Sequence, residues 1–296
     1  MSSSLIYGAI IGDIYGSAYE FSSHPNEKVP SLHSPLLFDN RDYTDDTVRT
    51  RAVLSALENK TDIASTRRSF AKKYPPKKGG FGSRFQEWLD HPSRGPYHSY
   101  GNGAGRRISP VSYFSSSLEE CDQLAFSITS LTHDSKEGIK AGCLIADLIY
   151  LALNGYSKEQ RKDFALSYYP CFLSFQFDVL HETYIHTAKA EDSVPEALFC
   201  FFQTHSFREC LHSVCYIGGD ADTIGARSLS IASAYYKSIP QEYLSFADSK
   251  LPEEFISLLR QAPCKTKETS PLPIAERIKR LPSYLKAVKK ADSSYF

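Results

Sequence analysis

The sequence predicts an all-α protein built as a single compact domain. Three observations carry that prediction. Apolar residues recur at helical spacing in most segments, clear period-2 runs bounded by turn residues are scarce, and no Pro/Gly/Ser-rich joint divides the body. Hydrophobic residues make up 42% of the 296 positions and charged residues 23%. That composition excludes wholesale disorder and leaves ample material for a core.

The elements follow in order. Residues 5–19 carry Gly8, Gly12 and Gly16 on one helical face, a spacing that permits close helix–helix approach. Residues 44–58 open with Thr-Asp-Asp-Thr and continue with Val48, Ala52, Val53, Ala56 and Leu57 at helical spacing. Further helices are predicted over 63–73, 82–89, 118–130, 135–153, 158–167, 194–203, 207–216, 223–236, 252–260 and 274–287. Residues 172–180 form the best strand candidate. The apolar run 141–153 contains Asp147, is too short to span a bilayer, and reads as a buried helix closed by Gly155. Residues 96–105 (Pro-Tyr-His-Ser-Tyr-Gly-Asn-Gly-Ala-Gly) are too rich in Gly and polar groups for a regular helix. Such loops often hold binding groups on a rigid scaffold.

Charge and cysteine narrow the function classes. Lys plus Arg equals Asp plus Glu at 34 each, so the basic excess of a general nucleic-acid binder is missing. The balance is uneven: residues 265–296 hold eight Lys or Arg against three Asp or Glu. The expected division is a body over 1–262 and a basic, helical extension over 263–296. Seven cysteines without a CxxC pair point to free thiols in a reducing compartment. The first residues lack a basic region and Asp13 interrupts their apolar run, so no signal peptide is expected. The reading is a soluble, cytoplasmic protein without a membrane role, and a monomer is the simplest expectation for one neutral domain.

Chemistry concentrates at two acidic helix starts, Tyr43-Thr-Asp-Asp-Thr47 and Gly218-Gly-Asp-Ala-Asp-Thr-Ile-Gly225. Each alone is explained by capping and by the helix dipole. Asp46 and Asp222 stand 176 residues apart, and capping does not explain why the device recurs. Carboxylate and hydroxyl oxygens are hard ligands suited to Mg²⁺ or Mn²⁺. If the two starts converge, their four carboxylates repel one another unless cations intervene. Gly12-Asp13 and Glu20 add carboxylates that could act as a base or a further ligand. The glycines of 99–105 could turn backbone N–H groups toward a phosphate, although no Rossmann fingerprint is present. Thr132-His133-Asp134 is open between a packing and a functional role. No GxSxG elbow supports serine hydrolase chemistry.

Together these segments resemble the ADP-ribosylglycohydrolase family. The matching pieces are Gly8-Ala-Ile-Ile-Gly-Asp-Ile-Tyr-Gly-Ser-Ala-Tyr-Glu-Phe21, Tyr43-Thr-Asp-Asp-Thr47, Ser99-Tyr-Gly-Asn-Gly103, Arg107-Ile-Ser-Pro110, Leu131-Thr-His133, Glu137-Gly-Ile-Lys140, Ser193-Val-Pro-Glu-Ala197 and Gly218-Gly-Asp-Ala-Asp-Thr-Ile224. The resemblance implies an orthogonal all-α fold with a binuclear site for two divalent cations, Mg²⁺ or Mn²⁺. It places the metal ligands on Thr44, Asp45, Asp46, Asp220, Asp222 and Thr223. Ser99, Tyr100, Gly101 and Asn102 match a loop that holds the distal ribose and diphosphate, and His133 matches a position near the substrate. Glu20 matches an acid lying over the metals. The implied reaction is hydrolysis at the anomeric carbon of ADP-ribose, freeing a protein side chain or small conjugate, with Glu20 or Asp46 activating water.

Five residues depart from that pattern. Arg49 and Arg106 replace residues that are usually apolar, Ala221 stands where Ser is common, and Arg227 and Leu229 replace small or apolar residues. The ligands survive these changes, whereas turnover and substrate choice are open to them. The alternative function is therefore an ADP-ribose-binding or structural, crystallin-like member with lost or altered turnover.

Overall fold

The computed structural model describes residues 5–20, 29, 31–36 and 40–262. The chain runs through α1 (Tyr7–Gly16), α2 (Asp45–Asn59), α3 (Ile63–Lys73), α4 (Ser83–Asp90), α5 (Gly103–Arg106), α6 (Pro110–Phe114), α7 (Leu118–Ser130) and α8 (Lys136–Leu153). It continues through α9 (Lys158–Leu166), a 3₁₀ turn (Pro170–Ser174), α10 (Phe177–Thr183), α11 (Val194–Gln203), α12 (Phe207–Ile217), α13 (Ala221–Tyr236), α14 (Gln241–Lys250) and α15 (Glu253–Gln261). Among the described residues no strand forms. Gly101 and Lys189 make an isolated antiparallel bridge. The all-α expectation holds. The basic extension over 263–296 and the helix predicted at 274–287 lie outside the described residues.

The strand expected at 172–180 is corrected by this structure, which turns the segment into the 3₁₀ turn and α10. Pro170 sits at the start of the turn, where its fixed φ suits a helix and its missing N–H is no loss. Phe172 and Leu180 are buried while Leu173 and Val179 are exposed. The apolar residues thus serve single buried helical faces, a pattern that short runs share with strands. The short helices α5 and α6, and α14, were not predicted.

Side-chain caps fix where several helices begin. Asp62, Ser117, Ser135, Ser157 and Ser206 each accept a hydrogen bond from the backbone N–H three residues on. Ser157 and Gln160 complete a capping box.

The glycine face of α1 sets the centre of the molecule. All of α1 is buried, and it packs chiefly on α13. A Cβ at Gly12 would lie 2.1 Å from the carbonyl oxygen of Gly225, and one at Gly16 would lie 2.3 Å from that of Ala221. At Gly8 it would meet the Leu229 carbonyl oxygen at 2.3 Å. Any larger residue would force the helices apart. Leu229 itself is fully buried, and its carbonyl lies against Gly8. This close crossing brings Asp13 on α1 to the first turn of α13.

Candidate active site

The two acidic helix starts converge. Oxygens of Asp13, Asp46 and Asp222 lie within 4.8 Å of one another, and all three residues are buried. Asp13 is held by three donors: the Thr44 N–H at 3.0 Å, the Thr44 hydroxyl at 2.6 Å and the Thr47 N–H at 2.9 Å. The Thr44 oxygen in turn accepts the Asp46 N–H at 3.2 Å, capping α2. Thr44 therefore caps its helix and ties α1 to α2 with one hydroxyl.

Asp45 and Asp46 do not cap α2; they face arginines. Asp45 Oδ2 lies 3.1 Å from Arg49 Nε and 2.9 Å from Arg106 Nη2. Asp46 Oδ1 lies 2.5 Å from Arg106 Nη1. Arg106 also donates to the Thr223 hydroxyl at 3.4 Å, and that hydroxyl donates to Asp46 Oδ2 at 3.4 Å.

The second start is built differently. Gly218 and Gly219 adopt φ of +72° and +63°, which lets the chain turn sharply from α12 into α13. Asp220 occupies the cap position of α13 without capping it. Its Oδ2 accepts the Asn102 side-chain N–H at 2.7 Å, and its Oδ1 faces His186 Nε2 at 3.7 Å. Asp222 accepts the Thr223 N–H at 2.8 Å.

Burial dominates the electrostatics. It pushes Asp13 up to about 7, with Asp46 adding repulsion and the Thr44 and Thr47 donors opposing it. Asp220 rises to about 7 by burial, against the pull of Arg227 and Arg106. Asp46 and Asp222 rise well above the ordinary carboxylate range, again chiefly by burial. Half-buried Glu20 is pushed up to about 8 by burial and then by Asp222. Burial also works against the charge of Arg106, yet Asp45, Asp46, Asp222 and Asp220 together hold its pKa above the usual value. Carboxylates so disposed require protons or cations.

The loop at 99–102 adjoins this cluster. Asn102 binds Asp220 and also donates to the Thr187 carbonyl at 3.1 Å. The Gly101 N–H bonds the Ser99 hydroxyl at 3.2 Å, and the Asn102 N–H bonds the Ala188 carbonyl at 2.8 Å. These two N–H groups are spent within the protein rather than presented to a phosphate. Tyr100 is about half exposed. His133 is buried and neutral, since burial and then Arg107 lower its pKa well below the usual value. Arg107 Nη2 donates to the Thr132 hydroxyl at 2.9 Å and faces His133 Nδ1 at 3.4 Å, where a guanidinium can only donate; the Thr132 hydroxyl lies 2.8 Å from the same Nδ1. Nδ1 therefore accepts, and the proton of the ring sits on Nε2. A Cβ on Gly103 would lie 3.0 Å from that Nε2, so the chain at Gly103 passes close against that nitrogen.

Thr44, Asp45, Asp46, Asp222 and Thr223 form one cluster, with Asp220 at its edge and Glu20 within its field. Ser99, Tyr100, Gly101 and Asn102 line an adjoining loop, and His133 lies behind it. Sequence reasoning named Asp13 as a base or a further ligand, without the donors that Thr44 and Thr47 supply. It missed His186, because nothing in the run 184–190 marks it. His186 and Thr187 also line a cavity of about 510 Å³.

Among the described residues no helix is long and apolar enough to cross a membrane. The model of the ADP-ribosylglycohydrolase family matches residues 4–261. The chain is 25% identical to ADP-ribosylhydrolase ARH3 of Mus musculus, over 80% of this chain and 84% of that protein. It is 26% identical to ARH3 of Homo sapiens, over 77% and 83%. It is 23% identical to ADP-ribosylarginine hydrolase Tri1 of Pseudomonas putida, over 81% and 72%. A solved ADP-ribosylglycohydrolase-related protein complex shares the fold, with a TM-score of 0.65 and 22% identity over 88% of this chain and 95% of that one.

Proposed function

The chain belongs to the ADP-ribosylglycohydrolase family, and we propose that it hydrolyses the N- or O-glycosidic bond at the anomeric carbon of ADP-ribose with the help of a divalent cation, Mg²⁺ or Mn²⁺. The acceptor freed would be a modified protein side chain or a small conjugate. The observation that carries this reading is the convergence of Asp13, Asp46 and Asp222, with Asn102 of the adjoining loop bonded to Asp220 at their edge. The donor set fits a hard divalent cation: three buried carboxylates share one point, and among the ion pairs identified only Asp46 of the three is met by an arginine. Asp13, Asp46 and Asp222 would hold it, with Thr44, Asp45, Asp220 and Thr223 around them. A bound cation would supply Lewis-acid orientation of the ribose hydroxyls and stabilise charge.

The chain's own residues supply the rest. Glu20, half-buried and pushed up to about 8, is suited to exchange a proton with water near neutral pH. Asp46 is the alternative base. Asn102, fixed between Asp220 and the Thr187 carbonyl, and the Ser99, Tyr100 and Gly101 segment would position the distal ribose and diphosphate. The Nε2–H of neutral His133 can donate toward the loop without adding charge. The transition state would be oxocarbenium-like, as in other glycoside cleavage.

The deciding experiment is release of free ADP-ribose from Arg-linked and Ser-linked mono-ADP-ribosylated proteins. It is run with Mg²⁺, with Mn²⁺ and with chelator, beside Asp46→Ala and Asp222→Ala. Metal-dependent release that both variants lose is the expected result. One observation favours a second reading, an ADP-ribose-binding or structural member without turnover: Arg106 engages both Asp45 and Asp46. Tight ADP-ribose binding with no release from any conjugate would select it.

A further inference from the structure

We propose that Arg106 takes the place of one of the two divalent cations implied by the family resemblance, so that this site binds a single divalent cation. The inference rests on the metal-dependent reading above and concerns the number of ions.

One guanidinium reaches three of the six ligands that the resemblance assigns to metal. Arg106 Nη1 lies 2.5 Å from Asp46 Oδ1 and 3.4 Å from the Thr223 hydroxyl, and Nη2 lies 2.9 Å from Asp45 Oδ2. It thereby bridges the two acidic helix starts, as a cation between them would. The adjacent arginine does not share the task. Arg107 turns to the Gly103 carbonyl, Thr132 and His133. A guanidinium only donates and stays charged, so the oxygens it engages are committed to it. A divalent ion on those oxygens would stand against a fixed positive charge in a site of low dielectric. Asp45 Oδ2 is further engaged by Arg49 at 3.1 Å.

Charge count agrees with geometry. The carboxylates of Asp13, Asp45, Asp46, Asp220 and Asp222 are buried together. Arg49 and Arg106 pair with them directly, and Arg227 acts on Asp220 and Asp46 from a position anchored to the Asn102 carbonyl at 2.5 Å and the Ser193 hydroxyl at 2.8 Å. Five buried carboxylates against three guanidinium groups leave two negative charges, which one divalent cation would balance. The oxygens left for it belong to Asp13, Asp46 and Asp222, which lie within 4.8 Å of one another. Arg49, Arg106 and Arg227 are three of the five departures from the family pattern, and all three act on this cluster.

The test is a Mn²⁺ titration of the full chain after chelator treatment. Bound ions are counted from the electron paramagnetic resonance of free Mn²⁺, and the saturated protein is recorded frozen. One equivalent with a mononuclear spectrum is expected. Arg106→Met should take two equivalents and give an exchange-coupled spectrum. Two coupled equivalents in the unaltered chain overturn the inference and leave the hydrolase reading standing. No bound Mn²⁺ sinks the metal-dependent reading and this inference with it. A folded Arg106→Met that still takes one equivalent overturns the role of Arg106; if that variant does not fold, the count in the unaltered chain decides.

Discussion

The two acidic helix starts share residue types and differ in what answers their charge. At 44–47, Thr44 caps the helix, and Asp45 and Asp46 are met by Arg49 and Arg106. At 220–223 no side chain caps α13, Asp220 is met by an amide and a histidine with Arg227 acting on it without a direct ion pair, and Asp222 accepts only a backbone N–H among the hydrogen bonds identified. The first start is neutralised largely from within the chain. The second, together with Asp13, leaves charge for an external cation or for protons. Like motifs in sequence thus divide into a half the protein answers with its own cations and a half it leaves open to a ligand.

The sharpest way to break that comparison is to remove a carboxylate from the open half. Asp222→Ala should lower kcat/KM for ADP-ribose release by about 10³-fold, an effect of the size of a lost transition-state charge contact. Asp45→Asn, in the half already answered by arginine, should cost only about 10-fold. Steady-state kinetics on one conjugate reads both. Equal losses would mean that the two halves do not differ as their partners suggest.

A structural break comes next. Gly12→Ala places a Cβ 2.1 Å from the Gly225 carbonyl oxygen. Since backbone cannot give way as a side chain can, α1 and α13 must separate, at a cost of about 3 kcal/mol. A fall in the urea midpoint measures it. The same variant should weaken Mn²⁺ binding, because Asp13 rides on α1. An unchanged midpoint would show that the crossing is looser than described.

How much of this was legible in the sequence follows from range. The glycine face of α1, the Thr-Asp-Asp-Thr start and the bend at Gly218-Gly219 are local patterns with one physical reading each. The positions of Asp46 and Asp222 were legible as types, while their convergence was not, because it depends on the crossing of Gly12 and Gly225, 213 residues apart in the chain. The strand expected at 172–180 failed because Phe172 and Leu180 belong to separate single-face turns. Arg106 was visible as a departure, and what it reaches required α5, a four-residue helix that the glycines at 101–105 concealed. His186 carried no signal, since its partner Asp220 lies on another element.

Proton linkage sharpens the comparison further. Asp13 titrates at about 7 in the folded chain against an ordinary value of 3.8, and Asp46 and Asp222 are raised in the same direction. A raised carboxyl favours the fold when protonated. The metal-free protein should therefore lose stability as pH rises from about 4 through about 7. A cation that displaces those protons stabilises most where they are already lost. The rise in Tm on adding Mn²⁺ should be about 3 °C or more larger at pH 7.5 than at pH 5.5. A rise independent of pH would mean that the open half carries no titrating carboxylates.

The smallest expected effect separates a cap that serves only stability from one that serves the site. Ser157 accepts the Gln160 N–H at 3.2 Å, and Gln160 Oε1 accepts the Ser157 N–H at 2.9 Å. Ser157→Ala should cost about 1 kcal/mol of stability and leave ADP-ribose release unchanged, because α9 stands outside the acidic cluster. Thr44→Ala removes a cap of the same kind and, in addition, a donor from Asp13. Its loss of stability should be similar, while its Mn²⁺ affinity should fall, since Asp13 keeps only two of its three donors. Paired urea and Mn²⁺ titrations read the two variants side by side. If Thr44→Ala behaved as Ser157→Ala does in both, the hydroxyl at the first acidic start would be a cap and nothing more.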